Sequence, residues 1–178
     1  MTPETITIDE SGMTFGPYPS GHCFHIEKSA LYTNIRQGVK MAEFLLLHAD
    51  SDRPAMLWVV EAKSSSPQPK NEPDFSQFIM EVRGKWINAL ALVLASRLGR
   101  HRQAGTDLPG SFKTFDLSRF DVRFVLVING HPKKWLPPIQ DALQKSLRPL
   151  VRTWNFSPTS VAVLNDELAV KHHPLSRI

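Results

Sequence analysis

A chain of 178 residues that is 42% hydrophobic and 21% charged suits one globular domain with a real core, and excludes a disordered or low-complexity tract. The formal net charge of +4 is compatible with a polyanionic partner. Cys23 is the only cysteine, so an intramolecular disulfide and a cysteine-rich zinc site are both excluded.

Taken in chain order, residues 1–21 hold one short strand-like run, Ile6 to Ile8, among Gly12, Gly16, Pro17, Pro19 and Gly21. That density of breakers predicts an irregular arm. The polar, acidic start does not have the pattern of a secretory leader. From Cys23 to Gln37 the period is ambiguous: Phe24 to Lys28 alternates like a strand, while Glu27, Leu31 and Asn34 share a helical stripe. Two strands follow, 39–48 and 55–63, joined by the turn chemistry of Asp50-Ser51-Asp52-Arg53-Pro54. Both are apolar on both faces, so helices must cover the sheet, and the fold class is α/β.

Residues 64–73 read as a loop. Asp74 to about Leu98 reads as one long helix with a broad apolar stripe, stopped by Gly99. Within it, Trp86 to Leu98 is too short to span a bilayer. Residues 99–118 are basic and irregular, 121–129 form a strand, and Pro137-Pro138 opens a helix to about Arg148. Residues 161–164 and 168–170 suggest a terminal hairpin. The whole reads as one domain over 1–178, with the arm at 1–21, the core at 24–130 and a helix with strands at 131–178. A cytoplasmic location is the expectation.

The chemistry concentrates on two strands. Glu61 and Lys63 are two residues apart, so they project from the same face. A turn centred on Asp52 sets Glu43 opposite Glu61, each nine residues from the centre, with Cβ atoms about 4.5–5.5 Å apart. Two carboxylates facing each other across an apolar strand pair need a proton or a cation between them. An oxygen-rich site of this kind suits Mg²⁺ or Mn²⁺, and Lys63 is placed to orient a water or steady developing negative charge. The plain alternative is that Glu-x-Lys marks a solvated strand edge.

Glu43 together with Glu61-Ala62-Lys63 resembles the motif of the PD-(D/E)XK nuclease superfamily, over about residues 24–130. The resemblance implies a restriction-endonuclease-like fold: a central mixed sheet with an antiparallel meander, flanked by helices. It implies that Glu43 and Glu61 bind Mg²⁺ or Mn²⁺, that Lys63 assists the water, and that Glu27 is the further supporting acid. The implied activity is metal-dependent hydrolysis of phosphodiester bonds by a DNA endonuclease of restriction, repair or defence type. An RNA-directed enzyme is the weaker variant. A homodimer would cut both strands and a monomer would nick, while a protein partner could supply specificity. Glu43 stands where the family has aspartate, and no proline precedes it. That departure motivates the alternative of a catalytically inactive nuclease-fold module that binds nucleic acid or a protein.

Candidate nucleic-acid contacts are Ser64 and Ser65 after the motif, Lys85 on the long helix, Arg100 and Arg102 in the basic loop, and Lys133 and Lys134 beside Trp135. Lys85 shares a helix face with Gln77, Glu81 and Asn88, which by itself describes a solvated stripe. His22, Cys23 and His25 lack a matching distant ligand pair for zinc, and His172-His173 reads as a solvated tail. No phosphate-binding glycine loop and no Gly-x-Ser-x-Gly elbow is present.

Overall fold

The computed structural model describes residues 4–49, 53–102, 104–171 and 175. Its centre is the antiparallel pair β4 (Phe44–His48) and β5 (Ala55–Lys63), in register Phe44↔Val60 through His48↔Met56. That register is the one a turn centred on position 52 produces; Asp50, Ser51 and Asp52 themselves lie outside the described residues. The first strand is shorter than the expected 39–48. Residues 39–43 are not strand, but the Glu43 N–H donates to the Val60 carbonyl at 3.1 Å and keeps Glu43 in line.

The outer edge is the two-residue strand β3 (Cys23–Phe24), antiparallel to β4. On the other side β6 (Phe120–Ile128) runs parallel to β5, and β7 (Val161–Asn165) runs parallel to β6. Parallel neighbours need long crossovers. These are α2 (Asp74–Arg97), after the single turn α1 (Ala30–Thr33), and α5 (Leu136–Trp154). The result is an α/β fold with a five-stranded mixed sheet in the order β3-β4-β5-β6-β7, flanked by helices. No helix among the described residues is long and apolar enough to cross a membrane.

The sheet has two differently covered faces. Leu45, Leu47, Leu57, Val59, Phe124 and Leu126 pack against α2 through Val82 and Trp86, and against α5 through Ile139, Leu143 and Leu147. The reverse face, with Phe44, Leu46, Trp58, Val60, Ala62 and Val127, packs against Ile8, Phe15 and Tyr18. Those three come from an N-terminal hairpin of β1 (Thr5–Glu10) and β2 (Met13–Pro19). The arm expected to be irregular is therefore ordered. Ser11 (φ 53°) and Gly12 (φ 74°) supply the two left-handed residues that a tight hairpin turn requires, so the breakers there close a hairpin.

Two further expectations are corrected. The terminal hairpin is instead β7 followed by α6 (Asp166–Lys171). Asn165 Oδ1 accepts from the Leu168 N–H at 3.0 Å and caps the helix, while β7 takes its backbone partners from β6. The basic stretch 99–118 contains two short helices, α3 (Ala104–Asp107) and α4 (Gly110–Thr114). Arg97 donates to the carbonyls of Phe112 and Phe115 at 2.9 and 3.0 Å, so its charge tethers this segment. The ambiguous residues after Cys23 divide into β3, a 3₁₀ turn at Ile26–Lys28, and α1, which Ser29 caps.

Candidate active site

Glu61 sits seven residues into β5 on the helix-covered face, in the same row as Leu57, Val59 and Lys63. Its side chain is wholly buried. Glu43 lies one rung beyond Phe44↔Val60, also buried. Strand alternation and register thus bring both carboxyls to one place, as the sequence suggested.

The amine that joins them is Lys85 of α2. Lys85, expected to be a nucleic-acid contact, points inward from α2. Its Nζ lies 2.8 Å from Glu61 Oε1 and 3.6 Å from Glu43 Oε1, and its side chain is 12% exposed. The shorter distance is that of a charge-assisted hydrogen bond. Lys63 Nζ lies 3.3 Å from the same Glu61 oxygen and 2.9 Å from Glu81 Oε1. Lys40 holds the other Glu81 oxygen at 2.9 Å. Glu81 and Lys85 are one helical turn apart, so α2 presents an acid and a base together to the end of β5.

A second acidic group adjoins the first. One carboxylate oxygen from each of Glu10, Glu27 and Glu43 lies within 4.8 Å of the others. Glu27, the expected supporting acid, is positioned by the 3₁₀ turn after β3, its N–H donating to the Glu43 carbonyl at 3.4 Å. Glu10 comes from the end of β1 and is held by Lys28 at 3.1 Å and His25 at 3.5 Å. Neither Glu10 nor Glu81 was singled out from sequence. The i, i+4 spacing of Glu81 and Lys85 was the only local signal for Glu81. Glu10 had none, because it reaches the site from another layer.

The electrostatics follow from burial. Burial, then a hydrogen bond with Glu27, then the charge of Glu61 push the Glu43 carboxyl up to about 8. Burial also pushes Glu61 up, against the opposing pull of Lys85 and Lys63. For Lys85, burial works against the ammonium, but Glu61 and Glu43 outweigh it and the net shift is upward. Half-buried and hydrogen-bonded by Lys63 and Lys40, Glu81 is drawn down to about 2. The arrangement is a buried Glu61 carboxyl held by the Lys85 ammonium at 2.8 Å, beside a Glu43 carboxyl pushed well above its ordinary range.

Two atoms lack compensation. Glu43 Oε2 and Glu61 Oε2 are buried and have no hydrogen-bond partner among the described residues. Leaving such oxygens unsatisfied is costly. A hard divalent cation taking carboxylate oxygens would satisfy both, so the donor set fits Mg²⁺ or Mn²⁺.

The remaining candidates are scattered. Ser64 and Ser65 are exposed directly after Lys63. Lys133 and Lys134 are exposed on the turn following β6, whose end pairs with the Lys63 end of β5. Arg100 and Arg102 are exposed beyond the far end of α2, roughly 20 Å from Lys85 along the helix rise. Of the rejected histidines, His22 contacts the Leu47 carbonyl and Ser111, consistent with packing. His172 and His173 lie outside the described residues.

No family model and no curated protein matches the chain. Among solved structures it is similar to the restriction endonuclease FokI, with a TM-score of 0.38 and 17% identity, over 72% of this chain and 18% of that one. The chain therefore spans less than a fifth of that protein's length.

Proposed function

We propose that this chain is a metal-dependent nuclease of the PD-(D/E)XK type, hydrolysing phosphodiester bonds in DNA. The observation that carries the reading is the pair of buried carboxyls from neighbouring strands, each with an orphaned oxygen, beside a lysine on the same strand face. Glu43 and Glu61 would hold Mg²⁺ or Mn²⁺, with Glu27 supporting Glu43. A cation there supplies polarisation of a phosphoryl oxygen and compensation of buried negative charge. Glu81 and Glu61 together fix the Lys63 ammonium at the mouth of the site, where it would orient the attacking water and stabilise charge building on phosphorus oxygens. Lys85 opposes the burial that favours a protonated Glu61, and its 2.8 Å contact aims the carboxyl. Ser64, Ser65, Lys133 and Lys134 would position the phosphate backbone.

Purified protein with supercoiled plasmid and Mg²⁺ tests this. The expected outcome is nicking or linearisation that EDTA abolishes and that Glu61→Gln and Lys63→Ala each reduce by about 10²–10³-fold. Cleavage unaffected by either substitution would falsify the assignment. Running single-stranded DNA, duplex DNA and RNA side by side identifies the substrate class.

One observation favours a second reading. Lys85 Nζ already lies between the two carboxyls, where a cation would sit. A nuclease-fold module that uses this ammonium as a permanent counterion would bind nucleic acid or a protein without cutting. Calorimetric titration with Mn²⁺ separates the two readings. Binding lost in Glu43→Gln and Glu61→Gln supports the enzyme, and the absence of binding to the wild type supports the module.

A further inference from the structure

A second feature lies at the same end of the sheet as Lys63. The loop after β5 and the start of α5 enclose a cleft of about 220 Å³, walled by Pro67, Pro69, His131, Trp135, Pro138 and Ile139. Its walls are mostly apolar, and Trp135 remains 39% exposed. Two contacts give the cleft its shape. Ser66 Oγ and His131 Nε2 lie 3.2 Å apart, tying the loop to the turn after β6. The His131 and Trp135 rings meet edge to face with centroids 5.6 Å apart. Burial holds His131 below its ordinary pKa.

The surroundings narrow the occupant. The volume falls below the roughly 300–1,000 Å³ typical of sites for drug-sized ligands, so a single ring system fits better than a large cofactor. The rim is cationic: Lys70 lines the cleft, Lys134 Nζ lies 5.9 Å from the Trp135 ring centroid, and Lys133 is adjacent. An apolar slot for one flat ring beneath ammonium groups matches a base attached to a phosphate chain. The slot also lies near the candidate active site along the chain. The Asn129 N–H donates to the Lys63 carbonyl at 2.9 Å, and Pro67 follows Lys63 by four residues, at most roughly 13 Å away.

We propose that this cleft takes one unstacked nucleobase from a strand whose backbone passes Lys63, with Trp135 as the stacking platform. The inference rests on the nuclease reading and gives it a substrate class: DNA with an unpaired nucleotide beside the cleaved bond. A base in a regular duplex is stacked on both sides and cannot enter the slot.

The test is binding in EDTA, where neither metal nor cleavage takes part. Fluorescence anisotropy compares three labelled duplexes: one with a single unpaired nucleotide, one with an abasic site at that position, and one fully paired. The wild type is expected to prefer the unpaired base over the abasic duplex by about 5- to 150-fold, the equivalent of stacking one base on an aromatic ring. Trp135→Ala should lose that preference and Trp135→Phe should keep most of it, a rescue that a merely misfolded variant would not show. Equal binding of base and abasic duplexes by the wild type, or a preference that survives in Trp135→Ala, overturns the inference. So does failure to bind any of the three. Preference for the unpaired base without Mg²⁺-dependent cutting of any substrate leaves the cleft standing and removes the catalytic reading. Cutting without the preference does the reverse.

Discussion

β4 and β5 send alternate residues to two faces of one sheet, and the faces are built on opposite terms. On the hairpin side Phe44, Val60 and Ala62 meet Phe15 and Tyr18, with the Phe15 and Tyr18 ring centroids 5.2 and 6.0 Å from that of Phe44. The one hydroxyl there, on Tyr18, donates to the Leu175 carbonyl at 2.8 Å. On the helix side, next to Phe44 and Ala62 in sequence, Glu43 and Glu61 are equally buried, yet each keeps an unpartnered oxygen. The first face contributes stability at little electrostatic cost. The second gives up stability to bury charge, the pattern on which the proposed function rests.

That contrast can be broken directly. The largest effect is expected on the apolar face: Phe44→Ala should lower unfolding free energy in urea by about 3–5 kcal/mol. If it costs less than about 1 kcal/mol, the hairpin does not pack as described.

On the charged face the outcome should reverse sign with the number of partners removed. Lys85→Met alone leaves the buried Glu61 with only the longer 3.3 Å contact to Lys63 and should cost about 3–5 kcal/mol. Glu61→Leu combined with Lys85→Met removes both charges and should be neutral or stabilising by about 1–4 kcal/mol, while abolishing cleavage. A double variant as unstable as the single one would show that the pair holds the fold together.

A smaller effect follows from Glu43. Below about pH 4.5 the carboxyl is protonated in folded and unfolded chains alike. Above that value the unfolded chain releases its proton, while the folded chain keeps it until about pH 8. The folded state then binds more protons, so metal-free stability should fall as pH rises through this window. Urea midpoints in EDTA across that range should decline in the wild type and decline less steeply in Glu43→Gln, where the raised Glu61 carboxyl still contributes. A wild-type curve no steeper than the variant's would mean that Glu43 ionises normally.

The smallest effects belong to the exposed cations. Replacing Lys133 and Lys134 with Ala should reduce the salt dependence of DNA binding by up to about two counterions. The Arg100 and Arg102 double alanine variant, at the remote end of α2, should change it by less than about one. Equal slopes would remove the distinction between near and far patches.

The legible and illegible parts of the molecule divide by range. The Glu43–Glu61 register was readable because a symmetric polar turn dictates it, and period-two alternation then selects the face. α2 was readable from its stripe and its glycine stop. Lys85 was visible as one of several polar residues on a helix face, but periodicity says which residues share a face and not which strand that face meets. Glu10 was out of reach because a hairpin brings it in across many residues. Leu168 to Val170 reads as a strand in sequence but forms helix, because three apolar residues carry no period of their own and the cap supplied by Asn165 decides for helix.

The hairpin tip also clasps the Lys63 end of the sheet. Asn129 Nδ2 donates to the Ser11 carbonyl at 3.0 Å, and a Cβ at Gly12 would come within 2.9 Å of that nitrogen. Anyone trimming this protein to the five-stranded sheet and its helices would be tempted to start after residue 19. The shortened product would lose Glu10, bare the oily underside of the central ribbons, and be recovered chiefly in inclusion bodies.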